Sequence, residues 1–434
     1  MTPAFHTYDV AIIGGGASGL AAAIAAAPVG ASVCIIERDV ACGLPILATG
    51  NGRCNLSNSR LAPARYHHEA AARAVLGHRG EDRIADFFQQ LGLLTCEIEE
   101  RLYPVTKRAE SVRDCLLAAC KRQGIDQRCG AHLTHAVRTD SRWHLEIEEP
   151  DRPRRIEPAD SSRPALRRAR KALAESDLVH RSVDASAVII ATGGRSADVC
   201  ALFGLPHNEE QPLLCPIEAA LTAADGTALA GDASPLPSLD GLRLDGMLAL
   251  KRNGAAIAYE DGEVLLRPYG ISGIAAFNLS RRCRPKDRIE LDLFPDLTTD
   301  RLARILHERQ AHVGPWTGEA SWFDGVLARP LARYIAQGLD GHADPLTRCA
   351  HLLHHLTFEV IGTCEHQQAQ VHRGGIPMDS VDLADLSLHD ASGLYACGEA
   401  LDQDADCGGY NLAWAWLSGI CAGEHAGAVS RPSY

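Results

Sequence analysis

The sequence predicts an α/β protein. Both ends of the chain build a Rossmann-like dinucleotide-binding domain, and a β-rich insertion and a helical subdomain lie between them. Three observations point there. A strand, a glycine-rich turn, a helix and a second strand open the chain within residues 9–37. Short apolar runs that end in small residues return at 187–191 and 394–397. In between, residues 211–293 alternate in short runs broken by Gly, Pro and Asp, and residues 299–355 read as helical. The expected divisions are 1–205 and 373–434 for the two parts of the dinucleotide domain, 206–298 for the β-rich insertion, 299–355 for the helical subdomain, and 356–372 for a strand returning to the insertion.

Each element has a local cause. Asp9-Val10-Ala11-Ile12-Ile13 is a buried strand that runs into glycines. Residues 17–27 are rich in alanine and form a helix, which Pro28 and Gly30 stop. Ser32-Val33-Cys34-Ile35-Ile36 is a second strand ending at Glu37. Residues 42–58 form a loop rich in Gly, Asn and Ser; 83–91 and 111–123 read as amphipathic helices, and 411–426 as the last helix. Residues 150–182 carry Arg152, Arg154, Arg155, Arg163, Arg167, Arg168, Arg170 and Lys171 among prolines. They read as a solvated surface excursion between two strands, with an anion- or RNA-contacting patch as the alternative.

Bulk properties narrow the class. A chain of 434 residues exceeds a single core, so two or three domains are expected. With 46% hydrophobic and 23% charged residues the composition is that of an ordinary globular protein. A net charge of −12 gives no bulk attraction to nucleic acid or anionic membrane, while leaving room for a local basic face. The 15 cysteines are scattered and include no C-x-x-C pair, which speaks against a zinc ribbon or a thioredoxin-type couple. A first strand that starts by Tyr8 leaves no room for a leader, so reduced thiols and a cytoplasmic location are expected. Residues 19–36 carry no charge and mimic a membrane span, but Pro28 and Gly30 would force a turn inside hydrocarbon.

The chemistry lies in two motifs. Gly14-Gly15-Gly16-Ala17-Ser18-Gly19 fits G-x-G-x-x-G between a strand and a helix. Gly14 permits the turn, Gly16 lets backbone approach a pyrophosphate, and Gly19 lets helix and strand pack closely. Ala17 and Ser18 open the helix, whose free N–H groups and dipole favour phosphate. Glu37, with Arg38 beside it, stands where an acid grips a ribose hydroxyl. This fingerprint does not separate FAD from NAD; the C-terminus does. There, Gly398-Glu399 follows a strand, and Gly408-Gly409-Tyr410-Asn411-Leu412 opens a helix. Such a return closes a flavin site, and the helix dipole stabilises an anionic reduced flavin. Thr192-Gly193-Gly194 supplies the small-residue strand end near the adenosine. There is no second strand–GxGxxG–helix unit, so NAD(P)H would dock transiently over the flavin.

These residues resemble the YhiN/BaiN-like family of NAD(P)/FAD-dependent oxidoreductases, flavoproteins of the two-dinucleotide-binding-domain type. The resemblance spans nearly the whole chain. It rests on 14–19, on Gly50-Asn51-Gly52-Arg53-Cys54-Asn55 within 48–58, and on Arg101-Leu102-Tyr103-Pro104. It continues through 191–194, Tyr269-Gly270-Ile271-Ser272-Gly273, and Gly374-Gly375 to Gly419. Gly273-Ile274 departs from the family's Gly-Pro, and Gly375-Ile376 from its Gly-Gly-Val; the Arg-rich stretch looks like an insertion. The resemblance implies FAD, a β-barrel with a helical insertion, and reduction of an activated C=C bond in a small enone or steroid-like substrate. It also implies an alternative, reduction of uracil in ribosomal RNA; oxidation of small amines or ketones with O2 is a third reading of the flavin motifs. Gly50, Asn51, Gly52, Asn55 and Asn58 are cofactor-loop candidates, and Arg53 would hold an anion or the flavin carbonyl edge. Hydride transfer to C=C needs a proton donor, for which Cys54, Tyr103 and Tyr269 are the candidates. His351, His354, His355 and His366 lack an H-E-x-x-H context, so no metal is expected there.

Overall fold

The computed structural model describes residues 5–139, 141–223, 226–364 and 369–429. The chain divides into two compact units, Met1–Gln211 with Val371–Tyr434, and Pro212–Gln370. The first unit begins with β1 (Phe5–Ile13), α1 (Ala17–Ala26) and β2 (Val33–Glu37). Next come β3 (Ser57–Asn58), α2 (Glu69–Leu76), α3 (Gly80–Gln90), β4 (Thr95–Ile98) and β5 (Arg101–Pro104). It continues with α4 (Ala109–Arg122), β6 (Asp126–Cys129), β7 (His132–Thr139) and β8 (Arg142–Pro150). After α5 (Arg163–Ala174), β9 (Leu178–Ile190) and α6 (Ala197–Phe203), β10 (Asn208–Leu213) leads out of the unit.

The second unit holds β11 (Ile217–Leu221), β12 (Arg243–Arg252), β13 (Ala255–Arg267), β14 (Gly270–Ser272), α7 (Ile274–Ser280) and β15 (Arg288–Asp292). Three helices follow, α8 (Thr299–Val313), α9 (Arg329–Gln337) and α10 (Pro345–His354), before β16 (Leu356–Thr363). The chain re-enters the first unit with β17 (Val371–Gly375), β18 (Leu394–Ala396) and α11 (Tyr410–Val429).

The α/β expectation holds. In the first unit the main sheet runs β6-β2-β1-β9-β8-β7, and β18 joins β9. Val10–Ile13 of β1, Val33–Ile36 of β2 and Ala187–Ile190 of β9 are apolar without alternation because both faces are covered; Val10, Ile12, Ile35 and Ile189 have no exposure. β9 serves three partners. It runs parallel to β1, antiparallel to β8 up to Ala185, and parallel to β18 from Val188 to Ile190. In this way a strand from the far end of the chain completes the sheet.

α11 packs on α1 with backbone nearly touching backbone. A Cβ on Gly419 would lie 2.4 Å from the Ser18 carbonyl oxygen, and one on Gly423 would lie 2.2 Å from that of Ala22. Two buried tryptophans extend the joint. The Trp414 indole donates to the Gly398 carbonyl (2.9 Å), and that of Trp416 donates to the Leu56 carbonyl (3.0 Å). Trp416 also meets Phe88 edge-on at 5.1 Å.

The second unit contains a closed six-stranded barrel, β11-β14-β13-β12-β15-β16. Alternate residues fill it: Leu248, Leu250, Val264, Leu266, Ile289, Leu291 and Phe358 are all buried. α8, α9 and α10 share this core through Leu302, Ile335 and Leu353. α7 starts at Ile274, a first-turn position that proline also suits. His354 Nδ1 lies 2.8 Å from the Asp292 carboxylate, and His355 pairs with Glu290 (3.3 Å); His366 lies outside the described residues.

The Arg-rich stretch is more ordered than a solvated excursion. Ser162 caps α5 by accepting from the Ala165 N–H (3.4 Å), and Ala165 and Ala169 are buried. Ala169 packs in a small cluster with Val40, Leu44 and Ile156. Arg170 grips Asp39 with two bonds of 3.0 and 2.7 Å, leaving Arg163, Arg167 and Arg168 exposed. A helix with alanines every fourth residue can dock even when its outer face is basic. Among the described residues no cysteine forms a disulfide, and Cys42 and Cys129 approach to 3.9 Å between sulfurs. Residues 19–36 fold as helix, turn and strand, and among the described residues no helix is long and apolar enough to cross a membrane.

Gly419→Ala tests the helix joint. Alanine is the better helix former by about 1 kcal/mol, yet its methyl group would meet backbone. A net loss of about 1–3 kcal/mol is expected in urea unfolding. An unchanged midpoint would refute the close packing.

Candidate functional site

The glycine-rich turn sits where β1 ends and α1 begins. The Gly14 N–H donates to the Ile36 carbonyl (2.9 Å), and Gly14 presses against Ala191, whose oxygen would be 2.5 Å from a Cβ. Gly19 is held equally close, 2.0 Å from the Gly14 oxygen by the same measure. Gly16 differs: a Cβ there would meet nothing within 4 Å. Gly16 is also the N-cap of α1, and the first turn carries no acidic residue. The unpaired N–H groups and the dipole of α1 therefore face open space suited to an anion. Ser18 is not part of that opening; it is buried and points at Gly398.

Glu37 organises the turn from below. One carboxylate oxygen accepts from the Gly15 N–H and the other from the Asp39 N–H, both at 2.7 Å. Burial raises the Glu37 carboxyl above its usual range, and the backbone donors oppose the rise. Burial would also raise Asp39, but the Arg170 bonds bring it below the usual value. Arg38 is exposed.

The second wall is the 44–58 loop. Its 3-10 segment Leu44–Gly52 breaks at Gly50 and Asn51, which take φ of 54° and 55°. Asn51 and Arg53 are exposed, and Gly52 is half-buried. Cys54 is fully buried with φ 55°, and burial pushes its thiol up to about 11. Cys54 is thus a protonated thiol enclosed by the loop. Asn55 Oδ1 is buried and has no hydrogen-bond partner among the described residues, and a Cβ on Gly409 would lie 2.9 Å from it. Thr192 Oγ1 is orphaned in the same way, next to Gly193, around which a Cβ would meet nothing within 4 Å. Asn58 already donates to the Gly408 carbonyl (3.2 Å) and accepts from the Arg60 N–H (2.8 Å).

The third wall is the C-terminal return. The Gly398 N–H donates to Ser418 Oγ (2.9 Å). Glu399 accepts from the His372 backbone N–H and lies 3.0 Å from His372 Nδ1; the Glu399 hydrogen bond raises that imidazole above its usual value. Gly408 and Gly409, with φ of 128° and 100°, lead into α11. The Asn411 side chain is engaged with the backbone of Ala405 (2.8 and 2.9 Å) and Asp406 (3.3 Å). What Asn411 and Leu412 can still offer a ligand is first-turn N–H groups.

Tyr103 and Tyr269 belong to different units. Tyr103 is half-buried in the small β3-β5-β4 sheet, paired with Cys96 of β4, while its neighbours Leu102 and Arg101 pair with Ser57 and Asn58. Tyr269 belongs to the barrel unit, in the turn from β13 to β14, with the Arg267 guanidinium 5.9 Å from its ring centre. Sequence reasoning passed over His372, and also Arg373, which grips the buried Asp404 at 2.7 and 3.1 Å. It also missed His67, His68 and Asp402, whose ligand atoms gather within 4.8 Å. The acids at 402, 404 and 406, directly after Glu399, were the available signal.

The residues fit an extended dinucleotide such as FAD. Gly16 and α1 suit a pyrophosphate, and the orphaned oxygens of Asn55 and Thr192 suit a ligand with N–H and O–H donors. Comparison with known proteins agrees in fold. The chain is 29% identical to 3-dehydro-bile acid delta(4,6)-reductase of Clostridium scindens, over 98% of this chain and 99% of that one. It is 24% identical to ribosomal RNA dihydrouridine synthase of Haemophilus influenzae, over 94% and 95% of the two chains. It is 22% identical to ribosomal RNA dihydrouridine synthase of Escherichia coli, over 98% and 99%. A family model described as the HI0933-like protein Rossmann domain matches residues 8–155 and 164–425, its one break falling just before α5. The chain belongs to this HI0933-like Rossmann family.

Proposed function

We propose that the chain is an FAD-dependent oxidoreductase, reduced by NAD(P)H, that hydrogenates an activated C=C bond in a small enone or steroid-like substrate. The observation that carries this reading is the open N-terminus of α1 behind Gly16, together with the orphaned Asn55 and Thr192 oxygens, the former beside Gly409 at the start of α11. The bile-acid reductase relative supports the substrate class. FAD, once reduced, supplies the hydride. Gly16 admits the pyrophosphate, Gly14 and Gly19 let the turn and α1 pack closely behind it, and Ala17 and Ser18 offer only first-turn backbone N–H groups. Glu37 and Arg38 serve the ribose side; Thr192, Gly193, Gly398 and Glu399 line its course. Gly50, Asn51, Gly52 and Asn55 hold the flavin ring, Asn55 Oδ1 accepting a ring N–H. The first-turn N–H groups of α11, behind Gly409, stabilise negative charge on the pyrimidine edge. Arg53, exposed, holds an anionic or carbonyl group. Within the first unit Tyr103 is the candidate proton donor.

A second reading is reduction of the uracil double bond in ribosomal RNA. The two synthase relatives and the exposed arginines of α5 favour it. One experiment separates the readings. The purified protein is examined for flavin absorbance, mixed anaerobically with NADH or NADPH, and then offered enones or unmodified ribosomal RNA. Bleaching by a nicotinamide and reoxidation by an enone support the main reading, and reoxidation by RNA alone supports the second. Peroxide formed with an amine substrate would indicate an oxidase. No flavin, even after reconstitution with FAD, would refute the cradle.

Two variants probe the cradle. Gly16→Val adds a side chain where no protein atom stands, so the fold should persist while FAD retention drops at least about tenfold, which is about 1.4 kcal/mol. Equal retention by both proteins would remove Gly16 from the site. The Glu399–His372 pair sets a pH dependence. Because the folded-state value of His372 is raised, its contribution is complete below the ordinary value of about 6.5 and is lost as pH rises through the raised value. Thermal stability of His372→Gln relative to the native chain should therefore converge toward alkaline pH. A constant difference would contradict the pairing.

A further inference from the structure

We propose that His67, His68 and Asp402 form a site for one divalent transition-metal ion of the zinc class. One imidazole nitrogen from each histidine and one carboxylate oxygen lie within 4.8 Å of one another. A tetrahedral ion at about 2.1 Å from its ligands holds them about 3.4 Å apart, a gap that side-chain torsions can close. Two imidazoles and a carboxylate are the donors such ions prefer, and the fourth position is open to water.

The site is held before any ion arrives. The 66–68 segment is fastened to the 402–406 loop by backbone: the His67 N–H donates to the Asp404 carbonyl (2.8 Å), and Tyr66 bridges to Ala405. Gln403 clamps His68 on both sides, accepting from its N–H (2.7 Å) and donating to its carbonyl (3.1 Å). The Asp402 carboxylate is oriented by the Gly374 N–H and the Asn208 amide, each at 2.8 Å, which leaves a lone pair on each oxygen. Such supporting bonds are what fixes metal ligands in place. His68 Nε2 is buried without a hydrogen-bond partner among the described residues and lies 3.9 Å from Asp402 Oδ2. The two imidazoles stand edge to face at 4.4 Å. The neighbouring cation, Arg373, is matched by Asp404 rather than by Asp402. An ion here would tie the 66–68 segment to the loop that Asn411 holds at the start of α11.

The test uses the full chain after dialysis against a chelator. Zn2+ is titrated by calorimetry, and Co2+ by its visible absorbance at wavelengths beyond the flavin bands. One equivalent should bind, with cobalt bands of nitrogen and oxygen ligation and no thiolate charge-transfer band. His67→Gln and His68→Ala should abolish that binding, and Asn208→Ala, which frees the carboxylate, should weaken it about tenfold or more. His67 is exposed, so its variant keeps the packing. No stoichiometric binding overturns the proposal. A thiolate band, which assigns the ion to cysteines, also overturns it, as does unchanged affinity in His67→Gln, which removes that histidine from the ligand set.

Discussion

The first unit depends on one contact, the backbone-to-backbone packing of α1 against α11. These helices come from opposite ends of the chain and meet at Ser18, Ala22, Gly419 and Gly423 with no room for a side chain between them. Dispersion falls steeply with separation, so such a contact gains only if every small residue stays small. Its consequence is positional. It fixes the N-terminus of α1, and with it the open face of Gly16, relative to the N-terminus of α11. Trp414 and Trp416 spread the constraint to Gly398 and to Leu56.

Around this joint, polar groups divide into two kinds. Some that look like ligand-binding residues are engaged with the protein. Asn58 and Asn411 hold backbone, Ser18 fills a joint, and Glu37 holds the glycine turn through Gly15. Others are left unsatisfied, namely Asn55 Oδ1 and Thr192 Oγ1. A buried polar atom without a partner costs free energy of about 1–3 kcal/mol. A ligand or water that hydrogen-bonds these oxygens recovers that cost.

The second unit follows from different physics. A six-stranded sheet closes on itself, so it has no exposed edge, and alternating apolar residues fill its interior. The helices α8 to α10 extend the same core. The histidines at 354 and 355 are absorbed there by Asp292 and Glu290. The pair at 67 and 68 instead meets a carboxylate from a loop more than three hundred residues away.

Periodicity and turn chemistry determined the α/β class, the opening βαβ unit, the β-rich and helical insertion, and the candidate glycines, because these are properties of neighbours along the chain. The Cys-containing loop was legible as a motif, but the state of its cysteine was not. Burial of Cys54 comes from the turn made by Gly50 and Asn51. The Arg-rich stretch read as solvated because its charge is local, whereas its docking on Val40 and Asp39 is not. Tertiary structure alone decided which polar atoms stay unpaired and that His67, His68 and Asp402 converge. Both depend on segments brought together by the sheet and the α1–α11 joint, and sequence spacing carries no record of such distances.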